Sequence, residues 1–166
     1  MRVPTLLLAL AGPAAAFEFD ALEGGTIDLD ALRGRAVLVV NTASLCGFTH
    51  QYADLQTLHD RYADRGLTVL GVPSDDFNQE LSDASEVAAF CEVNYGLTFP
   101  LTDITPVRGA EAHPFYRWLA TQGARPSWNF NKALLSPEGE LLAFEGAGTD
   151  PLSLRFTAAI EAALPR

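Results

Sequence analysis

The stretch Ala36 to Gly47, AVLVVNTASLCG, constrains this chain more than any other part of it. A run of apolar, largely β-branched residues gives way at once to small polar ones, a cysteine and a glycine, and a helix-like segment follows. This pattern predicts a buried strand that delivers Cys46 to a helix N-terminus. Unpaired backbone N–H groups and the positive end of the helix dipole favour an anion there, and the thiolate is the reactive form of cysteine. A buried cysteine also packs as a small apolar residue, and a pair of cysteines in an exported protein often forms a structural bridge. The stretch alone leaves these readings open.

With 166 residues and 48% hydrophobic content, the chain can bury one core, and one domain is expected. Its net charge of −10, with no basic run, argues against nucleic-acid or anionic-membrane partners. The N-terminus reads MRVPTLLLALAGPAAAFEF, with one positive residue, an apolar stretch, Gly12-Pro13 and then Ala14-Ala15-Ala16. That predicts a secretory signal peptide over residues 1–16, cut after Ala16, which leaves a single domain over 17–166. The apolar stretch falls short of the roughly 20 residues a transmembrane helix needs, and an uncleaved membrane anchor is the alternative reading of the segment. A secreted or periplasmic protein with no membrane attachment after cleavage is therefore expected, in a compartment where disulfides persist.

Taken in order, FEFDAL and TIDLDAL flank Gly24-Gly25 and predict an N-terminal β-hairpin. Arg35 to Ser44 is the central strand. From Phe48 onward Tyr52, Leu55, Leu58, His59 and Tyr62 recur at helical spacing, and Gly66 ends the helix. Leu67 to Val72 is a second buried strand, which completes a βαβ unit. A helix is expected from Ser82 or Ser85 through Cys91 to about Asn94, then a short edge strand over Thr98 to Ile104, then a helix over His113 to Thr121. Lys132 to Phe144 reads as a hairpin around Pro137-Glu138-Gly139, and Pro151 to Leu164 as a final helix with Asp150 as its N-cap. The pattern is α/β: a thioredoxin-like fold with a central mixed β-sheet flanked by helices and an N-terminal hairpin.

Asn41 to Thr49, Val72 to Glu80, Trp128 to Lys132 and Phe90 to Pro100 together resemble segments of the glutathione peroxidase family. Asn41-Thr42-Ala43-Ser44-Leu45-Cys46-Gly47-Phe48-Thr49 is similar to the family's active-site segment, with Thr42 where Val is usual. Val72-Pro73 through Phe77 to Gln79-Glu80 resembles the loop that carries a functional glutamine. Trp128-Asn129-Phe130-Asn131-Lys132 resembles the family's Trp-Asn-Phe segment, and Phe90 to Pro100 the stretch that holds the second cysteine of two-cysteine members. The loop between Phe77 and Gln79 is one residue shorter than the common form, and Ser74-Asp75-Asp76 replaces its usual Cys-Asn-Gln. The short segment between Trp118 and Trp128 lacks the insertion that tetrameric members use, so a monomer is expected.

The resemblance implies a peroxidatic nucleophile, Cys46, surrounded by Gln79, Trp128 and Asn129. Their uncharged N–H donors suit a thiolate and a departing oxygen. Singly, Trp128 reads as a rim aromatic, Asn129 as a turn residue and Gln79 as a solvated loop side chain. It also implies a hydroperoxide substrate, a sulfenic acid on Cys46, and Cys91 as the resolving thiol. Cys91 otherwise reads as a small apolar residue on a buried helix face. A disulfide needs Cα atoms about 5.5–6 Å apart, so local unwinding around Cys91 is expected. A thioredoxin-like reductant is implied; glutathione, which recruits basic side chains in members that use it, would find few here besides Arg125 and Lys132. No cofactor is expected, and His50, His59 and His113 lack metal-ligand spacing. Two other functions compete: a redox relay that passes oxidation from Cys46 to a partner protein, and a noncatalytic domain with a permanent Cys46–Cys91 bridge.

Overall fold

The computed structural model describes residues 17–166, and the expected signal peptide lies outside the described residues. Among the described residues, no helix is long and apolar enough to cross a membrane.

The hairpin comes first along the chain, from β1 (Glu18–Asp20) and β2 (Thr26–Asp28), paired antiparallel. Gly24 and Gly25 turn the chain at φ 93° and 84°, a region that costs residues with a Cβ. The main sheet is built on β3 (Ala36–Thr42), every residue of which is buried. β3 runs parallel to β4 (Leu67–Pro73) and antiparallel to β5 (Lys132–Leu135), which pairs with β6 (Leu141–Glu145) in the order β4-β3-β5-β6. The sheet is thus mixed, with β3 interior.

Alternation along β3 explains why both of its faces are apolar. Ala36, Leu38 and Val40 enter one core, with Tyr52, Leu55 and Leu58 of α1 (Gln51–Tyr62), Val87 and Cys91 of α2 (Ala84–Tyr95), and Phe156 and Ile160 of α4 (Leu154–Ala163). Val37 and Val39 enter the other, with Phe115 and Leu119 of α3 (Pro114–Thr121). Each buried Val, Leu, Ile or Phe among them contributes about 1.5–3 kcal/mol. The layering is helix, sheet, helix, and the ends of β3 and β4 open onto the loops that follow them.

Several boundaries differ from expectation for identifiable reasons. The final helix starts at Leu154, capped by Ser153, whose Oγ accepts from Phe156 N–H. Asp150 spends its carboxylate on Leu152 N–H at 2.7 Å, so Asp150-Pro151 makes a turn that imitates a helix start. Thr98 to Ile104 is no strand: Leu101 bridges Gly71 and Thr102 bridges Ala21, each as an isolated pair, beside Pro100, which has no N–H to offer a ladder. Helix α1 begins at Gln51 rather than near Phe48, after turns over residues 44–50, and ends through a 3-10 turn at Gly66 in the left-handed region. Helix α2 is capped by Asp83, whose carboxylate accepts from Ser85 and Glu86 N–H, and closes at Gly96.

Candidate active site

Cys46 lies in the turns between β3 and α1, not on the helix's first turn as its sequence context suggests. Four residues lie between it and Gln51, and the helix dipole fades within a turn. Thr49 shapes this loop. Its hydroxyl donates to the Cys46 carbonyl and accepts from Cys46 N–H at 3.1 Å, while Thr49 N–H returns to the Cys46 carbonyl at 3.0 Å. The sulfur is thereby held 3.4 Å from Phe48 N–H, a donor to it. Cys46 is 7% exposed and its neighbour Leu45 61% exposed, so the sulfur sits just below an open, apolar rim.

The loop after β4 clasps this turn from the side. Gln79 accepts Leu45 N–H on its backbone carbonyl at 2.9 Å, and Glu80 Oε1 accepts Ser44 N–H at 3.0 Å and Leu81 N–H at 2.8 Å. Asn78 adopts φ 54°, which turns the chain so that Gln79 and Glu80 follow in this arrangement. Glu80 is buried, and burial raises its carboxyl above the usual carboxylate range, against the opposing pull of the N–H groups it binds.

Trp128 and Asn129 arrive on the turn before β5. Asn41, from β3, donates Nδ2–H to the Trp128 carbonyl at 2.9 Å and accepts Phe130 N–H on its own carbonyl at 2.6 Å. Asn131 Oδ1 accepts Ser127 N–H at 2.7 Å and Trp128 N–H at 3.3 Å. Phe130 is bent to φ 62°, and the buried Lys132 Nζ donates to its carbonyl at 2.7 Å. Burial pulls Lys132 down to about 8, although Glu145, Asp150 and Asp54 push the other way. Lys132 is consequently committed to this turn and offers no surface charge.

Asn129 Nδ2 donates to Gln79 Oε1 at 3.0 Å, which joins two of the expected site residues side chain to side chain. With its carbonyl so engaged, Gln79 keeps its N–H donors uncommitted. The Trp128 ring is 39% exposed and packs on Phe77 with centroids 5.3 Å apart. Gln79 and Asn129 are therefore brought together, Gln79 is tied to the Cys46 loop, and Trp128 stands at the rim through Phe77.

Cys91 is placed differently. It lies within α2, 2% exposed, on the floor of a groove of about 520 Å³ between this helix and the N-terminal hairpin. Burial pushes its thiol up to about 11, with the Glu80 carboxylate adding to the rise and Tyr52 opposing it. Both cysteines are free thiols in the structure. His113 caps α3 through Nδ1, which accepts Phe115 N–H, and its ring stacks on Phe19 at 3.9 Å. Among the described residues no group of three His, Cys, Asp or Glu side chains could hold a metal ion.

Sequence reasoning assigned no part to Glu80, Thr49, Asn41 or Asn131, and read Lys132 as a candidate for glutathione, whereas its amine is bonded to the Phe130 carbonyl within the site's own turn. The polar type at Asn41, inside an otherwise strongly apolar strand, was the available signal.

Comparison with known proteins places this arrangement. The family model described as glutathione peroxidase matches residues 15–120. Hydroperoxy fatty acid reductase gpx1 of Synechocystis sp. is 40% identical over 147 residues, covering 81% of this chain and 87% of the relative. Glutathione peroxidase-like peroxiredoxin HYR1 of Saccharomyces cerevisiae is 40% identical over 142 residues, covering 81% of this chain and 87% of the relative. The crystal structure of Trgpx in apo form superposes with a TM-score of 0.69 at 29% identity, covering 92% of this chain and all of that one. A thioredoxin-like sheet, a free cysteine on the β3–α1 loop and this degree of likeness agree, and the chain belongs to the glutathione peroxidase family as a thiol peroxidase.

Proposed function

We propose that Cys46 reduces hydrogen peroxide or organic hydroperoxides and that Cys91 then resolves the oxidised sulfur. The observation that carries this reading is the Asn129–Gln79 bond, which leaves the Gln79 N–H donors uncommitted on a loop that is itself bonded to the Cys46 turn through Leu45 N–H. The Cys46 thiolate attacks the terminal oxygen of R–O–OH. The O–O bond breaks, the alkoxide takes a proton and leaves as alcohol or water, and Cys46 becomes a sulfenic acid. Gln79, Trp128 and Asn129 stabilise the departing oxygen without a strong base that would trap the proton.

Resolution needs the Cys91 thiolate to attack the Cys46 sulfur, which forms the S–S bond and expels hydroxide, protonated to water. With its thiol raised to about 11, Cys91 inside the folded helix is thiolate about once in 10⁴ at pH 7. Opening α2 around Cys91 restores the ordinary thiol value and frees the chain to reach Cys46. A thioredoxin-like dithiol reduces the disulfide and is itself oxidised. Glutathione is the weaker candidate, since Lys132 is buried in a structural bond. Residues 1–16 direct export, and the mature chain works as a monomer in the periplasm or outside the cell.

Turnover of tert-butyl hydroperoxide with thioredoxin, thioredoxin reductase and NADPH tests this. Wild type should sustain many turnovers, Cys46→Ser none, and Cys91→Ser a single stoichiometric oxidation. Equal turnover by Cys91→Ser and wild type, or faster turnover with glutathione, would overturn the resolving role or the choice of reductant respectively.

A further inference from the structure

Lys132 takes no part in the peroxide chemistry, yet its buried ammonium stands on the turn that carries two of the site's side chains. The residue lies on β5, paired with Val40 of β3 and Glu145 of β6. It is fully buried and forms no ion pair among the described residues; Nζ donates to the Phe130 carbonyl at 2.7 Å. An ammonium has three donors, so burying it on one carbonyl costs stability that an apolar side chain of similar size would not.

What the ammonium holds is strained. Phe130 is at φ 62°, where a residue with a Cβ persists only if its surroundings fix it. Its N–H donates to the Asn41 carbonyl at 2.6 Å and its carbonyl accepts from Lys132, so both polar groups of its backbone are pinned. Asn129, one residue earlier, is buried and donates Nδ2–H to Gln79 Oε1 at 3.0 Å. The aim of that amide depends on the turn, and a displacement of about 1 Å at a reacting site can cost about 10²-fold in rate.

The charged groups that face the amine are Glu145 on β6, Asp150 on the loop after it and Asp54 on α1. Arg155 of α4 holds the Glu145 carboxylate by two bonds of 2.7 Å, and His50 faces Asp54. The carboxylates favour the ammonium, but burial opposes it more strongly and pulls it down to about 8. Below that value a charged donor grips the Phe130 carbonyl. Above it a neutral amine remains, with a bond about half as strong.

We propose that Lys132 is a positioning residue of the peroxidase: its ammonium, through the Phe130 carbonyl, holds the turn that aims Asn129 at Gln79 and so sets an alkaline limit on peroxide reduction. The proposal rests on the peroxidase reading and adds a residue and a pH response to it. Activity and stability then part company. The folded protein releases this proton more easily than the unfolded chain, so raising the pH from about 8 toward 10.5 stabilises the fold while it slows the reaction. A lysine that served only the fold would move the two together.

The test follows loss of the Cys46 thiol after one equivalent of hydrogen peroxide from about pH 6 to about pH 10.5, beside denaturant titrations at the same pH values. The rate of wild type divided by that of Lys132→Met, which cancels the ionisation of Cys46 itself, should fall from about ten toward one with a midpoint near 8. Glu145→Gln removes the carboxylate that most favours the ammonium, and the freed Arg155 cation acts in the same direction. Wild type should therefore outrun Glu145→Gln near neutrality, and the two should converge above about pH 9. In an Asn129→Ala background Lys132→Met should slow the reaction less than about threefold further, because both act through one amide. A ratio that does not change with pH, or a Lys132→Met cost undiminished by Asn129→Ala, overturns the proposal. So do equal rates for wild type and Glu145→Gln at every pH, a comparison that stands even where Lys132→Met fails to fold. Cys46 oxidation in wild type no faster than that of a simple thiol at any pH would instead strike the peroxidase reading itself.

Discussion

If Cys91 reaches Cys46 only when α2 opens, loosening the end of that helix should speed disulfide formation without touching the peroxide step. Gly96 offers a clean way to do this. It closes α2 at φ 57°, ψ 41°, its N–H bonded to the Glu92 carbonyl, and a Cβ placed on it would meet nothing within 4 Å. Gly96→Ala therefore adds only the backbone cost of a left-handed residue, about 1–2 kcal/mol. At roughly 1.4 kcal/mol per tenfold, the last turns of α2, which include Cys91, open about 5 to 30 times more often. Pre-reduced protein would be mixed with one equivalent of hydrogen peroxide, quenched with an alkylating agent at intervals, and mapped by mass. The first phase, loss of the Cys46 thiol, should match wild type. The second, appearance of the Cys46–Cys91 disulfide, should quicken in the same proportion as amide exchange along α2. Faster exchange with an unchanged or slower second phase would refute the opening route.

Three further perturbations probe the scaffold. Lys132 is lowered from 10.5 to about 8 in the folded state, so between those values the unfolded chain binds more protons and stability rises with pH. Relative to Lys132→Met, wild type should gain about 3 kcal/mol across that window in denaturant titrations, and parallel curves would contradict the assignment. Glu80→Ala strips the acceptor from Ser44 and Leu81 N–H, and chemical denaturation should show a loss of about 2–4 kcal/mol. Glu80→Gln keeps an oxygen there and should recover most of the loss; equal losses would mean that the charge, not the acceptor, matters. Asn129→Ala frees the Gln79 side chain from its partner and should slow peroxide reduction about 10²-fold with little change in thermal midpoint. A rate within threefold of wild type would remove Asn129 from the site.

How far the sequence reveals this molecule depends on how local each determinant is. Alternation and turn chemistry are local, so β3, the Gly24-Gly25 hairpin and the glycine-closed helices are readable, and the mixed sheet follows from their order. Asp150-Pro151 misleads because an aspartate that caps a turn and one that caps a helix use the same side-chain bond; only the competing Ser153 decides between them. The position of Cys46 before the helix is set by Thr49 folding back on it, a contact that apolar periodicity does not register. Lys132 reads as an available cation in the sequence and Glu80 carries no signal of its own, yet both are buried in the fold, because each is bonded to backbone groups, 36 residues away for Glu80 and 2 for Lys132.

The most direct test of the account is the rate at which pre-reduced protein consumes one equivalent of hydrogen peroxide, with the cysteines mapped afterwards. The account predicts oxidation far faster than that of free cysteine, beginning at Cys46 and ending in a Cys46–Cys91 bridge. Oxidation no faster than a simple thiol would contradict it, because the donors around Cys46 would then give the sulfur no advantage.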